Sequence, residues 1–286
     1  MTTSARGYAR RSVRRVSDAL GQVTKDRRVL PDFLIVGAQR CGTTTLFRTL
    51  VQHPVVMPPT LRKGVHYFDL SYDNDLSWYR GRFPTLAQRD ERSQQAGRRA
   101  LVGESSPYYM WHPYGPSRIA HDLPDIRVLV ALRDPVERAY SAHAHEIARG
   151  YESEPFESAL TLEAQRLAGA DEALGASRGA RHFAHQHQAY VTRGQYIDQV
   201  ERLERELGRD RMLVIDAQDF WTEPEEQWAD VLDFLGLPPV PVTFERHNAR
   251  KRSPMDDALR ARLEAQFEPY DERLASWWGR TPSWRR

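Results

Sequence analysis

The sequence predicts an α/β fold, a central parallel sheet with helices on both faces, and two observations carry that expectation. Short apolar runs suited to buried strands alternate with stretches of helical periodicity, the pattern that builds parallel sheets. The first such run ends in a glycine-bounded loop that opens directly into a helix. That places a turn at the carboxyl edge of the sheet, where open α/β folds bind ligands.

Residues 32–36 (Asp-Phe-Leu-Ile-Val) follow Pro31 and read as a buried strand. Residues 37–42 form the loop. Residues 43–52 read as a helix, with Leu46, Phe47 and Leu50 at helical spacing and a stop before Pro54. Residues 101–104 are a second strand, and 126–132 (Ile-Arg-Val-Leu-Val-Ala-Leu) a third and the clearest. Asp134 and Pro135 then supply an N-cap and a first-turn proline for a helix running to about Arg149. A long helix is expected over 183–207, with Gly194 as an interruption, and a fourth strand over 211–215. Trp228, Val231, Leu232 and Leu235 mark a helix that stops at Gly236, and a last helix spans about 255–270. Residues 89–99 read as a polar surface loop. Residues 167–181 read equally as a loop or a lid.

The chain has 286 residues, 40% hydrophobic and 28% charged, enough for a sizeable core. No run of about eighteen apolar residues predicts a membrane helix, and no apolar leader follows the N-terminus. Cys41 is the one cysteine, which excludes an internal disulfide. A cytoplasmic protein is expected. The net charge of +2 hides an asymmetry: residues 1–28 carry +6, leaving about −4 for the rest. Residues 1–28 are therefore expected to be a basic, flexible tail and 29–286 a single domain. The tail's charge suits weak contact with an anionic membrane surface or an acidic partner; a plain solvated tail is the simpler expectation. The body lacks the basic excess of a nucleic-acid-binding domain.

The central motif is Gly37-Ala38-Gln39-Arg40-Cys41-Gly42-Thr43-Thr44-Thr45. Amides of a turn and a helix N-terminus converge there on an anion, and glycines let the backbone approach. The glycine spacing is that of a Walker A loop, giving a P-loop-like sheet, but Thr43 stands where the lysine belongs and the cation is Arg40. A Walker B aspartate should end a strand and hold magnesium; residues 126–132 are followed by Arg133 instead. The pattern keeps the anion cradle and drops the metal site, which predicts transfer from a nucleotide without metal. No histidine grouping has metal-ligand spacing: His143 and His145 diverge on a helix, and His182, His185 and His187 match no known ligand pattern. Cys41 beside the loop reads as a small filler more readily than as an acidic thiol.

A second anion site follows the third strand, in Arg133-Asp134-Pro135-Val136-Glu137-Arg138-Ala139-Tyr140-Ser141. Arg133 is placed to face the same crevice as Arg40, with Ser141 two turns into the helix. Two anion sites suit a nucleoside phosphorylated at both ends.

Together these motifs resemble the sulfotransferases that use 3′-phosphoadenylyl sulfate (PAPS), especially the heparan-sulfate N- and 3-O-sulfotransferase branch. Further stretches share the resemblance: His53-Pro54, Lys63-Gly64-Val65-His66-Tyr67-Phe68-Asp69, Gly103-Glu104-Ser105-Ser106-Pro107-Tyr108-Tyr109, Arg193-Gly194-Gln195-Tyr196 and Phe234-Leu235-Gly236-Leu237. The resemblance implies a sulfuryl transfer from PAPS to a hydroxyl or amine, on a carbohydrate or a small metabolite. It implies that Arg40, Cys41, Gly42, Thr43, Thr44 and Thr45 grip the 5′-phosphosulfate and that Arg133 and Ser141 bind the 3′-phosphate. Arg250, Lys251 and Arg252 would close over the nucleotide. Two positions depart from the family: its general-base glutamate is Gly64 here, and a lysine of the Gly-Glu-Lys-Ser-Pro segment is Ser105.

For an in-line displacement at sulfur, Arg40 is assigned charge stabilisation, with Lys63 assisting. The base is open. If residues 63–68 are extended, His66 shares a face with Gly64 and can fill the gap; Glu104 is the second candidate. A P-loop kinase or NTPase, and a catalytically impaired nucleotide-binding protein, are the competing functions. The aromatics Tyr67, Phe68, Tyr108, Tyr109 and Trp111 suit either an acceptor pocket or the core.

Overall fold

A computed structural model describes residues 19–245 and 253–286. Five parallel strands, β1 (Phe33–Gly37), β2 (Val56–Met57), β3 (Leu101–Ser105), β4 (Arg127–Leu132) and β5 (Met212–Asp216), lie in the order β2-β3-β1-β4-β5. Every residue of β1 is buried, because this strand has a neighbour on each edge and helices over both faces. Its register, Phe33 against Gly103 and Phe33 against Arg127, aligns the carboxyl ends of β1, β3 and β4. β5 continues that edge, with Leu132 opposite Asp216.

Eight helices of eight or more residues are described: α1 (Thr43–Leu50), α2 (Leu86–Ala96), α3 (Gly115–Asp122), α4 (Pro135–Ile147), α5 (Phe156–Leu167), α6 (Tyr196–Leu207), α7 (Pro224–Leu235) and α8 (Asp257–Trp278). The main core joins the sheet to α1, α3, α6 and α7. A smaller cluster, around Val136, Phe156, Tyr190 and Phe267, knits α4, α5 and α8.

Several expected elements differ. Residues 89–99 belong mostly to α2, which buries none of its residues and so shows no apolar period. Its ends hold it instead. Thr85 and Gln88 form a reciprocal capping box, and Gly97 at φ 67° closes the C-terminus. The expected helix over 183–207 is only a short turn (Phe183–His187) and then α6. The backbone between them is claimed by Glu163, which accepts from the amides of Tyr190, Val191 and Thr192 at 2.9, 2.7 and 2.9 Å. Helix α8 runs on through Pro269 to Trp278, since Asp271 and Leu274 keep its inner face buried. Residues 167–181 contain one short helix, Ala170–Gly175.

Residues 19–28, expected as flexible tail, pack onto the body. Lys25 Nζ donates to Ser77 Oγ at 2.7 Å, and Gln22 Nε2 to the Trp78 carbonyl at 3.2 Å. Residues 1–18 lie outside the described residues. Among the described residues no helix is long and apolar enough to cross a membrane.

Candidate active site

The aligned strand ends open onto a cleft of about 1020 Å³. Its floor is the loop between β1 and α1. Gly42 adopts φ 83° as the residue preceding α1, and Arg40 adopts φ 71°. Arg40 and His66 are the two non-glycine residues with positive φ among the described residues, and both line the cleft. Such backbone is costly for an L side chain and clusters at functional sites. The loop is tied to the sheet by Ala38 N donating to the Ala131 carbonyl at 2.8 Å. The phenol of Tyr196 donates to the Arg133 carbonyl at 2.9 Å and meets Cys41 Sγ at 3.5 Å. Cys41 is fully buried and burial pushes its thiol up, so it fills the loop and is no acidic nucleophile. Thr43, Thr44 and Thr45 begin α1 and line the cleft.

Arg133 leaves the end of β4 and reaches the same wall. Its Nη1 donates to the Arg40 carbonyl at 3.3 Å, and its Nη2 lies 3.5 Å from Glu137 Oε2. Arg40 Nε donates to Ser141 Oγ at 3.1 Å. The side chain expected at the sulfuryl group therefore touches the hydroxyl expected at the 3′-phosphate, and the two anion sites form one continuous basic wall. Arg250, Lys251 and Arg252 lie outside the described residues.

The cleft is also lined by Lys63, Gly64, His66 and Tyr108. Lys63 Nζ donates to Ser105 Oγ at 3.0 Å. Burial brings its ammonium down to about 8, with Arg48 pushing the same way and Glu104 opposing. Gly64 is shut in: a Cβ there would stand 2.5 Å from the Ser105 carbonyl oxygen and 3.0 Å from Ser106 Oγ. The backbone that now closes this position has no room for a carboxylate side chain.

Residues 63–68 are not a plain extended run. His66 turns left-handed (φ 56°, ψ 43°) and precedes the short helix Tyr67–Leu70. The turn brings Asp69 under the imidazole, with Nδ1 2.9 Å from Oδ2. Burial disfavours the imidazolium, but Asp69 outweighs it, and the ring is held above its usual range. Asp69 was missed in the sequence because it faces His66 only in helical spacing.

Glu104 is not on the cleft wall. It is fully buried, and both oxygens are spent: Oε1 accepts from the phenols of Tyr79 and Tyr109 at 2.7 Å each, and Oε2 from Val65 N at 2.6 Å and Ser106 Oγ at 2.7 Å. Burial raises its carboxyl against those four donors. As a base candidate it is corrected to a structural carboxylate. Of the five aromatics, only Tyr108 lines the cleft. Tyr67, Phe68 and Tyr109 are core, and Trp111 stacks on His185 at 4.7 Å. His143 turns away to the Glu154 carbonyl at 2.8 Å, whereas His145 and His187 line the far end of the cleft. No group of three or more His, Cys, Asp or Glu among the described residues is arranged to hold a metal. Trp221, Ser283 and Trp284 also line the cleft; no sequence motif marked them.

Residues 30–279 match the profile of the sulfotransferase domain. The chain belongs to the sulfotransferase family. The sulfotransferase is 26% identical over 290 residues to the human bifunctional heparan sulfate N-deacetylase/N-sulfotransferase 3, covering 90% of this chain and 31% of the relative. It is 29% identical over 208 residues to the human heparan sulfate glucosamine 3-O-sulfotransferase 3B1, covering 73% and 46%. The chain thus spans about a third to a half of the length of these relatives. A crystal structure of a sulfotransferase from Alicyclobacillus acidocaldarius superposes with a TM-score of 0.67 at 28% identity, over 90% of this sulfotransferase and all of that chain. The family sets aside the kinase and NTPase alternative.

Proposed function

We propose that this sulfotransferase moves a sulfuryl group from PAPS to a hydroxyl or amine, with a carbohydrate as the favoured acceptor. The observation that carries the proposal is convergence. The glycine loop, Arg40, Arg133 and Ser141 come together in one cleft, the chemistry a nucleoside bisphosphate needs. A cleft of about 1020 Å³ is ample for a nucleotide and part of an acceptor. The heparan sulfate enzymes among the relatives support the carbohydrate.

In the proposed reaction the acceptor oxygen or nitrogen bonds to sulfur. The bond from sulfur to the 5′-phosphate oxygen breaks, and the electron pair leaves with the bisphosphate product (PAP). The acceptor proton passes to Nε2 of His66, whose Nδ1 is held by Asp69. Arg40 and Lys63 stabilise the charge that gathers on the moving group, and the amides of residues 42–45 hold the phosphate. His66 stands beside the position where the family glutamate is replaced by Gly64, which supports it as the proton acceptor.

Thermal shift with PAP against ATP plus magnesium tests the nucleotide, and transfer from labelled PAPS to a panel of sugar, phenol and amine acceptors tests the reaction. PAP should stabilise the protein and ATP should not. Arg133→Ala should remove the PAP shift. A shift with ATP alone, or unchanged PAP affinity in Arg133→Ala, overturns the proposal.

A further inference from the structure

Two arginines lie inside the protein behind the anion loop, and their hydrogen-bond partners among the described residues are all neutral oxygens. Arg138 sits on α4 one turn before Ser141 and is completely buried. Its Nη2 donates to the Tyr190 carbonyl, while Nε and Nη1 have no partner among the described residues. Arg193, in the turn Thr192–Gly194, is also buried. It donates to Gln39 Oε1, to the His185 carbonyl at 2.5 Å and to the Gln186 carbonyl at 3.1 Å, and its Nε has no partner among the described residues.

A buried cation without an acid beside it is costly, and arginine does not escape by losing its proton. Burial brings Arg193 down only to about 10, so it stays charged at neutrality. Glu146 and Glu163 favour the Arg193 charge through space, but neither hydrogen-bonds to it. Glu163 caps three backbone amides, and Glu146 meets His187 at 3.1 Å. The two guanidinium groups also repel each other. Both stand next to the cleft. Gln39 and Gln186, which Arg193 holds, line it, and the Arg138 charge is felt by the Cys41 thiol of the loop.

We propose that Arg138 and Arg193 are the interior counter-charge for an anionic nucleotide in the cleft, unfavourable in the ligand-free fold and compensated when a bisphosphate binds. They act through the wall and touch no ligand atom, so their contribution is the sign of the charge, not a contact. The inference rests on the proposal that the cleft takes a bisphosphorylated nucleoside.

The test compares a neutral and a charged replacement at each position: Arg138→Gln against Arg138→Lys, and Arg193→Gln against Arg193→Lys. PAP affinity is measured by calorimetry and the unfolding temperature is measured without ligand. The Lys variants should bind PAP within about threefold of the parent, and the Gln variants at least about tenfold more weakly. Without PAP, each Gln variant should unfold at no lower a temperature than its Lys counterpart. A Lys variant that does not fold leaves Gln compared with the parent by the same criteria. Equal PAP affinity for Gln and Lys overturns the inference, and so does a Gln variant that is less stable than Lys or does not fold. A parent that fails to bind PAP defeats the nucleotide proposal itself, whereas a parent that binds alongside indistinguishable variants removes only the interior counter-charge.

Discussion

Nδ1 of His66 lies 2.9 Å from Oδ2 of Asp69, three residues along the chain. The carboxylate fixes which ring nitrogen carries the proton and leaves Nε2 to accept one. Replacing His66 with Ala should lower kcat about 100-fold or more and leave PAP affinity within about twofold. Asp69→Asn removes the group that raises the imidazole while burial remains, so the rising limb of the kcat–pH profile should move to lower pH. The sign follows from the base acting when neutral: activity grows as pH rises through the His66 pKa, which Asp69 holds above its usual value. A limb that stays in place in Asp69→Asn, or normal turnover in His66→Ala, moves the base elsewhere.

Lys63 predicts the opposite limb. Its ammonium is brought down to about 8 by burial, so the cation proposed to assist the sulfuryl transfer is lost as pH rises through that value. The ratio kcat/KM should fall on the alkaline side with a midpoint near 8, and Lys63→Arg, which keeps its charge, should shift that fall upward. An alkaline limb identical in the two proteins excludes Lys63 as its source.

Restoring the family glutamate should fail. At Gly64 any Cβ meets a backbone carbonyl at 2.5 Å, and backbone does not yield cheaply. Gly64→Ala should cost about 1–3 kcal/mol of stability, and Gly64→Glu should be less stable still, with no gain in turnover. A Gly64→Glu protein that is faster than the parent would show that the segment can open around a new side chain.

Glu104 and His66 separate cleanly by readout. Glu104→Gln leaves two phenols, an amide and a hydroxyl competing for one remaining carbonyl oxygen, so it should cost about 1–3 kcal/mol in unfolding experiments. The pH profile of the surviving activity should keep its shape. Full stability combined with collapsed turnover would return Glu104 to the chemistry.

Strands β1, β3, β4 and β5 were legible because each is a short apolar run beside a turn signal, and buried parallel strands need nothing else. The loop and Arg133 were legible for a related reason: strand ends in a parallel sheet must lie side by side. What failed was anything decided by partners far away in sequence. Helix α2 has no apolar face to read. The gap between residues 187 and 196 is made by Glu163, more than twenty residues earlier. Glu104 looked like a crevice carboxylate because a strand-end position shows its place, not the two tyrosines that surround it. Asp69 was hidden by the assumption of an extended segment, which a single left-handed residue at His66 undoes.

Ser283 places both its amide and its hydroxyl on Asp216 at 2.8 Å, which sets Trp284 against the cleft. The match to the family stops at residue 279. A fragment trimmed to the shared region would keep the whole sheet yet leave Asp216, buried at the end of β5, facing donors that are no longer there, and it would open one side of the ligand site to water. For this chain the region shared with the family falls short of the residues that close the cleft.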